Sequence, residues 1–218
     1  MSVKFIHSNF SFENKYAEEL YHNYSKKQPI LDYHNHLPPQ QISENTIFNN
    51  LTKVWIDDDH YKWRAMRTLG VSEEFVTEKS SDKDKLTNTI IYNLNPADNE
   101  VIASMIGNFN DGSVKEKVQF GSACWFLDQK DGMTKQLNIL SNMGLISCFI
   151  GMLTDFRSFL SFPRYEYFRG VLCNLLGDEI KRGELPNVME WIGKLVADIS
   201  YNNTKRIFQI LKYKNSLI

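Results

Sequence analysis

The sequence predicts an α/β fold with parallel strands, and three observations carry that reading. From residue 89 onward, strand-like and helix-like segments alternate: TIIYNL (89–94), ADNEVIASMIGNF (97–109), VQFGS (118–122), DGMTKQLNILSNMGLI (131–146), CFIGMLT (148–154), then a helical remainder. Parallel strands need a long crossover, usually a helix, so this order is how a parallel sheet is assembled. CFIGMLT is a continuous apolar run of strand length, as expected of a strand covered on both faces. Ile30 to Tyr33 form a further short extended run, which Pro38-Pro39 must end.

The elements follow in order. ENKYAEELYHNYSKK (13–27) reads as a helix: Tyr16, Leu20 and Tyr24 recur every four residues, with Ala17 and Tyr21 beside them. Ser11 is the expected N-cap, two residues ahead of the acidic Glu13, and Pro29 closes the segment. Residues 40–85 are polar and predicted to be helical in pieces, among them HYKWRAMRTLG (60–70) with Gly70 as its C-cap. EKSSDKDKLTN (78–88) is charged and Ser-rich and reads as a linker or surface loop. Asn95-Pro96 ends the TIIYNL strand, and an Asn or Asp caps the helix that follows. Met133, Leu137, Leu140 and Met143 stand at helical spacing, and from about Pro163 the chain is helical to the end. There is no internal repeat.

Composition bounds the partners. The chain has 218 residues, 25 Lys+Arg against 26 Asp+Glu, and 42% hydrophobic residues. That is a globular balance and enough chain for one sizeable core. A net charge of -1 argues against a nucleic-acid or anionic-membrane partner. No apolar run approaches the ~20 residues of a membrane span. MSVKFIHSNFSFENK lacks the apolar centre of a secretory signal, so a cytoplasmic location is expected. Cys124, Cys148 and Cys173 are odd in number and none is in a CxxC pair, which suits buried, reduced thiols. All five histidines precede residue 61, so sequence places no base beside any of them.

The chemistry-bearing candidates cluster at predicted strand ends. His34 and His36 directly follow the Ile30–Tyr33 run. Residues two apart on a strand project to one side, so both imidazoles can reach one metal ion, with Asp32 in phase behind them; two exposed loop histidines without a metal fit the same HxH pattern. Asp155 follows the apolar run 148–154, with Arg157 in phase. Two imidazoles and one carboxylate hold a divalent ion and leave positions open for substrate. An Asp that caps the next helix, paired with Arg157, explains the second pair of residues as well. HYKWRAMR (60–67) gathers His60, Tyr61, Lys62, Trp63, Arg64 and Arg67. It fits either a surface helix with one buried Trp or a loop-helix that contacts an acidic sugar. In CWFLDQKDG (124–132), Trp125, Asp128 and Lys130 can line a pocket or simply pack in a βα turn.

These residues also carry a resemblance. PILDYHNHLPPQQI (29–42) and NLTKVWIDDDHYKWRAMRTLGV (50–71) resemble the N-terminal part of the uronate (glucuronate) isomerase family. NLNPADNEVIASMIGNFNDGS (93–113), QFGSACWFLDQKDGM (119–133) and GMLTDFRSFLSFPRYEYFR (151–169) resemble its C-terminal part, as do LCNLLG (172–177) and YNNTKRIF (201–208). The resemblance covers nearly the whole chain. It implies a (β/α)8 TIM barrel of the metal-dependent hydrolase (amidohydrolase) type, here incomplete. It implies an intramolecular oxidoreductase that interconverts D-glucuronate with D-fructuronate, and D-galacturonate with D-tagaturonate, in bacterial uronic-acid catabolism. It implies one divalent ion, zinc or manganese, held by His34, His36 and Asp155. Tyr61 and Arg157 match residues assigned to proton transfer and substrate binding, and Trp125 is expected beside the substrate.

The family's members are roughly twice as long. The N-terminal match ends near residue 85 and the C-terminal match resumes at 86, so the chain divides into 1–85 and 86–218 within one structural domain. The absent middle would carry several barrel strands and a further Arg, Asp and His of the family's site. A (β/α)8 barrel needs ~250 residues. What remains is expected to pack as a wedge, because the first and last strands of a closed barrel are neighbours. Such a wedge leaves strand edges and apolar surface bare, so a homo-oligomer or self-associating chain is expected. An inactive relative, or one half of a split enzyme needing a partner chain, accounts for the same sequence.

Overall fold

The computed structural model describes residues 9–34, 36, 40, 43–47, 89–108, 118–122, 127–155, 161 and 163–208. Within them the first helix, α1, is Lys15–Leu20, and the chain continues through a wider π-type turn, Tyr21–Ser25. Ser11 does not cap α1. The Asn14 side chain accepts the Ala17 N–H at 3.0 Å, while the Ser11 carbonyl takes the Asn174 amide at 2.8 Å. Asn14 wins because its own amide is held by Asp178 at 2.8 Å, which fixes its oxygen over the first turn.

Strand β1 (Thr89–Ile91) runs parallel to β2 (Val118–Phe120), pairing Thr89 with Val118 and Ile91 with Phe120. The Gly121 N–H to Ile91 carbonyl bond of 2.8 Å carries the pairing one step further. Between the strands lies α2 (Asn99–Asn108), entered through a short 3-10 turn at Pro96–Asp98. Of the Asn and Asp caps the sequence leaves open, it is Asn95 whose side chain caps that turn, accepting the Ala97 N–H at 3.1 Å. Ala103, Ile106 and Phe120 form the small core of this βαβ unit.

Helix α3 (Lys130–Met143) leads to a 3-10 turn at Ile146–Cys148. Two expected strands, 29–34 and 148–154, are not ladder strands. Residues 149–155 are buried but irregular. In 148–154 the run begins in the 3-10 turn, and Gly151 and Asp155 both adopt positive φ, 71° and 51°. Gly151 is the only residue type that fits there, since a Cβ would lie 2.3 Å from the Ile199 carbonyl oxygen. Polar side chains take over the joining role of the ladder, as described below.

The C-terminal half is α4 (Pro163–Arg182), α5 (Met189–Ala197), a second π-type turn (Asp198–Asn202) and α6 (Asn203–Ile207). Pro163 opens α4, where its missing N–H costs nothing. Tyr165, Phe168, Leu172, Leu176 and Ile180 recur at helical spacing on its buried face. Gly177 lets α1 lie directly on that face, for a Cβ there would stand 2.7 Å from Ala17 N. Leu20, Leu127, Leu137, Phe149, Leu172, Val196 and Ile199 join these in the main core. Cys148 and Cys173 are free and buried, as expected, Cys173 within that core, where burial pushes its thiol pKa up; Cys124 lies outside the described residues.

Candidate metal centre

His34 and His36 follow an irregular segment that leaves the α1 region, and Asp155 ends the buried 149–155 segment. The Asp155 Oδ1 is 3.2 Å from His34 Nε2 and 3.3 Å from His36 Nε2. The ligand-capable atoms of the three residues all lie within 4.8 Å of one another. The two imidazoles stand edge to face, centroids 5.1 Å apart, and are half exposed, while the carboxylate is nearly covered. The positive φ of Asp155 is a conformation that Asp tolerates better than most residues. Its N–H donates to the His34 carbonyl at 3.2 Å, so the bend and the imidazole segment are tied at the candidate ligands themselves.

Charge complementarity is built in. Burial alone would raise the Asp155 carboxyl pKa, but hydrogen bonds and charge from His34 and His36 outweigh it and bring it down to about 2. The hydrogen bond that His34 donates to Asp155 raises the imidazole pKa, against the opposing effect of burial. A carboxylate that stays ionised between two imidazoles is a donor set suited to a divalent cation.

Asp32 does not join this group of three. Its carboxylate accepts the Thr154 N–H at 3.1 Å, the Thr154 hydroxyl at 2.6 Å and the Tyr165 hydroxyl at 3.0 Å. Arg164 donates to the Thr154 carbonyl and pairs with Asp128. Arg169 donates to the Gln28, Pro29 and Ser200 carbonyls. Tyr33 donates to the Gly151 carbonyl at 3.0 Å. Burial raises the Tyr33 and Tyr165 phenols, which keeps both as donors. The Tyr92 ring lies 6.3 Å from that of His34, in space that Gly121 leaves open.

The structure therefore brings His34, His36 and Asp155 together. Of the residues proposed to line a pocket, Asp128 is committed to Arg164 and Lys130 to Glu13 at 2.9 Å. Tyr61, Trp125 and Arg157 lie outside the described residues, as do the other members of HYKWRAMR. Sequence reasoning missed Thr154, Tyr165, Arg164 and Arg169. The available signal was Tyr165 and Arg169, four apart, on an otherwise apolar helix face.

The βαβ unit, its flanking helices and this donor set at segment ends are those of part of an α/β barrel, and comparison with known proteins agrees. The glucuronate isomerase family model matches residues 2–88 and again 78–208. The chain belongs to the glucuronate isomerase family. It is 36% identical to the uronate isomerase of Flavobacterium johnsoniae, in an alignment covering 94% of this chain and 99% of that one. That alignment runs over 461 positions, which 218 residues span only with a long gap. It is 58% identical to the uronate isomerase of Phocaeicola vulgatus over 78% of this chain and 37% of the relative. The crystal structure of uronate isomerase from Thermotoga maritima matches 66% of this chain and 28% of its own, with TM-score 0.50 and 27% identity. The glucuronate isomerase of Caulobacter crescentus matches in fold, with TM-score 0.52 over 59% of this chain and 26% of its own. The fold is an incomplete (β/α)8 barrel. The two family matches meet at the charged stretch 78–88, where the middle of the relatives has no counterpart. Among the described residues no helix is long and apolar enough to cross a membrane.

Proposed function

We propose that this chain is a uronate isomerase, an aldose–ketose isomerase acting on D-glucuronate and D-galacturonate in cytoplasmic uronic-acid catabolism. The observation that carries the reading is the convergence of His34, His36 and Asp155 within 4.8 Å in a chain of this family. These three residues would hold one divalent ion, zinc or manganese, through two imidazole nitrogens and a carboxylate oxygen. When bound, the ion supplies Lewis-acid polarisation of the sugar's oxygens at C1 and C2. Isomerisation takes a proton from one of these carbons and returns it to the other, so no external oxidant or reductant is needed. By motif match Tyr61 is assigned that proton transfer. Arg157 is assigned the substrate carboxylate, because its planar fork meets two oxygens at once. Trp125 is assigned a place beside the sugar.

The test is direct. The purified chain, loaded with zinc or manganese, is incubated with D-glucuronate and the ketose is measured. His34→Ala and Asp155→Ala should each abolish binding of the ion, measured by elemental analysis, whereas His22→Ala should retain it. Equal metal content in all three variants sinks the assignment of ligands.

A second reading is favoured by one observation: the chain spans 37% of the Phocaeicola relative's length. On that reading the chain needs a companion carrying the middle strands, or turns nothing over, and its bare edges drive homo-oligomerisation. Ketose formed by the chain alone refutes it. Ketose formed only after a companion chain is added supports it, and light scattering reports the oligomeric state.

A further inference from the structure

The three candidate ligands sit on two irregular segments that share a backbone bond, from the Asp155 N–H to the His34 carbonyl at 3.2 Å. A bond of 3.2 Å at a bend is weak insurance for a ligand geometry that tolerates only small errors. The stronger join lies one step behind the ligands. Asp32 stands two residues before His34, and Thr154 stands immediately before Asp155. Asp32 Oδ1 accepts the Thr154 N–H at 3.1 Å, and Oδ2 accepts the Thr154 hydroxyl at 2.6 Å. Both carboxylate oxygens thus engage one residue of the opposite segment, which fixes direction as well as distance.

The helix behind them supplies a third hold. The Tyr165 hydroxyl reaches Asp32 Oδ1 at 3.0 Å and the Leu31 carbonyl at 3.2 Å. Tyr165 is 3% exposed in the main core, so this anchor does not move independently of α4. Arg164, its neighbour on α4, holds the Thr154 carbonyl from the other side. One rigid helix therefore grips both segments, and the Asp32 carboxylate is where its grip on one is passed to the other.

We infer that Asp32 is a positioning residue, whose bridge to Thr154 and Tyr165 holds the His34 and Asp155 segments in mutual register. The role in register stands on the hydrogen bonds alone; its consequence for metal affinity rests on the reading of His34, His36 and Asp155 as ligands. Outer partners that orient ligands are typically worth 10- to 100-fold in metal affinity.

The experiment uses the full chain. Amide hydrogen exchange of the metal-free protein is compared for wild type, Asp32→Ala, Thr154→Val and Thr154→Ser, and Co(II) affinity is measured by its visible absorption. In Asp32→Ala and Thr154→Val, the Thr154 and Asp155 amides should exchange at least about tenfold faster, while amides of α4 stay protected. Co(II) should bind about 10- to 100-fold more weakly in both. Thr154→Ser, which restores the hydroxyl, should recover both properties, a rescue that a purely packing role for Thr154 does not give. Unchanged exchange in Asp32→Ala overturns the inference, as does unchanged Co(II) affinity in a protein whose wild type binds the ion. Wild type that binds no Co(II), with exchange that still depends on Asp32, refutes the ligand assignment and supports the role in register. If Asp32→Ala loses protection throughout α4, the Thr154 pair decides: loosening by Val with recovery by Ser supports the inference, and equal behaviour overturns it.

Discussion

Around α4 the chain is held by apolar burial: Leu20, Leu172, Leu176, Ile192 and Val196 are nearly or wholly inaccessible and pack against one another. The segments 30–34 and 149–155, the second of which gives Phe149 and Met152 to that core, are joined to each other by a carboxylate, two hydroxyls, a guanidinium and a few carbonyls. Apolar contacts are non-directional and forgiving of shape, so they stabilise a body without fixing any one atom. Hydrogen bonds are directional, and each net contribution is small, so they place atoms without adding much stability. The body supplies the free energy, and the polar bridges convert it into position.

The largest expected effect breaks the body. Leu172→Ala removes a fully buried side chain and should cost about 2–5 kcal/mol, seen as a lower urea midpoint. Against a total of about 5–15 kcal/mol, this is the change most able to unfold the chain. A shift under about 0.5 kcal/mol would mean that the helical body is not the principal support. Gly177→Val should cost about 1–3 kcal/mol, because its side chain must displace the α1 backbone at Ala17. Retained packing of α1 on α4 in that variant, by exchange of the Ala17 and Leu20 amides, would contradict the close approach.

The next effect belongs to the polar region and is read through pH. In the metal-free chain the Asp155 carboxyl is held at about 2, below its ordinary 3.8. A lowered pKa stabilises the fold above the ordinary value and loses that contribution as pH falls from about 4 to 2. His34 is shifted the other way, above its ordinary 6.5. Its contribution is present below 6.5 and is lost as pH rises through the raised value. The pair should therefore add on the order of 1–2 kcal/mol near pH 5, absent in Asp155→Asn. Identical pH profiles of the urea midpoint in both proteins would show that the contact contributes nothing. Metal binding should run opposite to the His34 term: affinity rises with pH through the raised imidazole value, since the ion must displace that proton. The smallest effect is at the surface, where Lys130→Ala breaks the exposed pair with Glu13 and should cost less than about 1 kcal/mol.

The sequence by itself determined, among the described residues, the helices after 13, 97, 131 and 163, the βαβ order and the three residues that converge. Each rests on a local rule. Tyr16, Leu20 and Tyr24 repeat at helical spacing; Asn95 precedes a proline and caps; His34 and His36 are two residues apart and so share a side. What only the tertiary structure decided is how the two site segments are joined. CFIGMLT has the composition of a buried strand, yet Gly151 must turn aside from the Ile199 carbonyl, and Asp155 must bend for its carboxylate to face both imidazoles. The Asn14 cap in place of Ser11 depends on Asp178, and the Asp32 bridge depends on Thr154 and Tyr165, each more than a hundred residues away. Periodicity reports what a residue's near neighbours allow. Which of several permitted hydrogen bonds is made depends on partners brought together by burial of the distant α4 face, and no local spacing encodes their arrival.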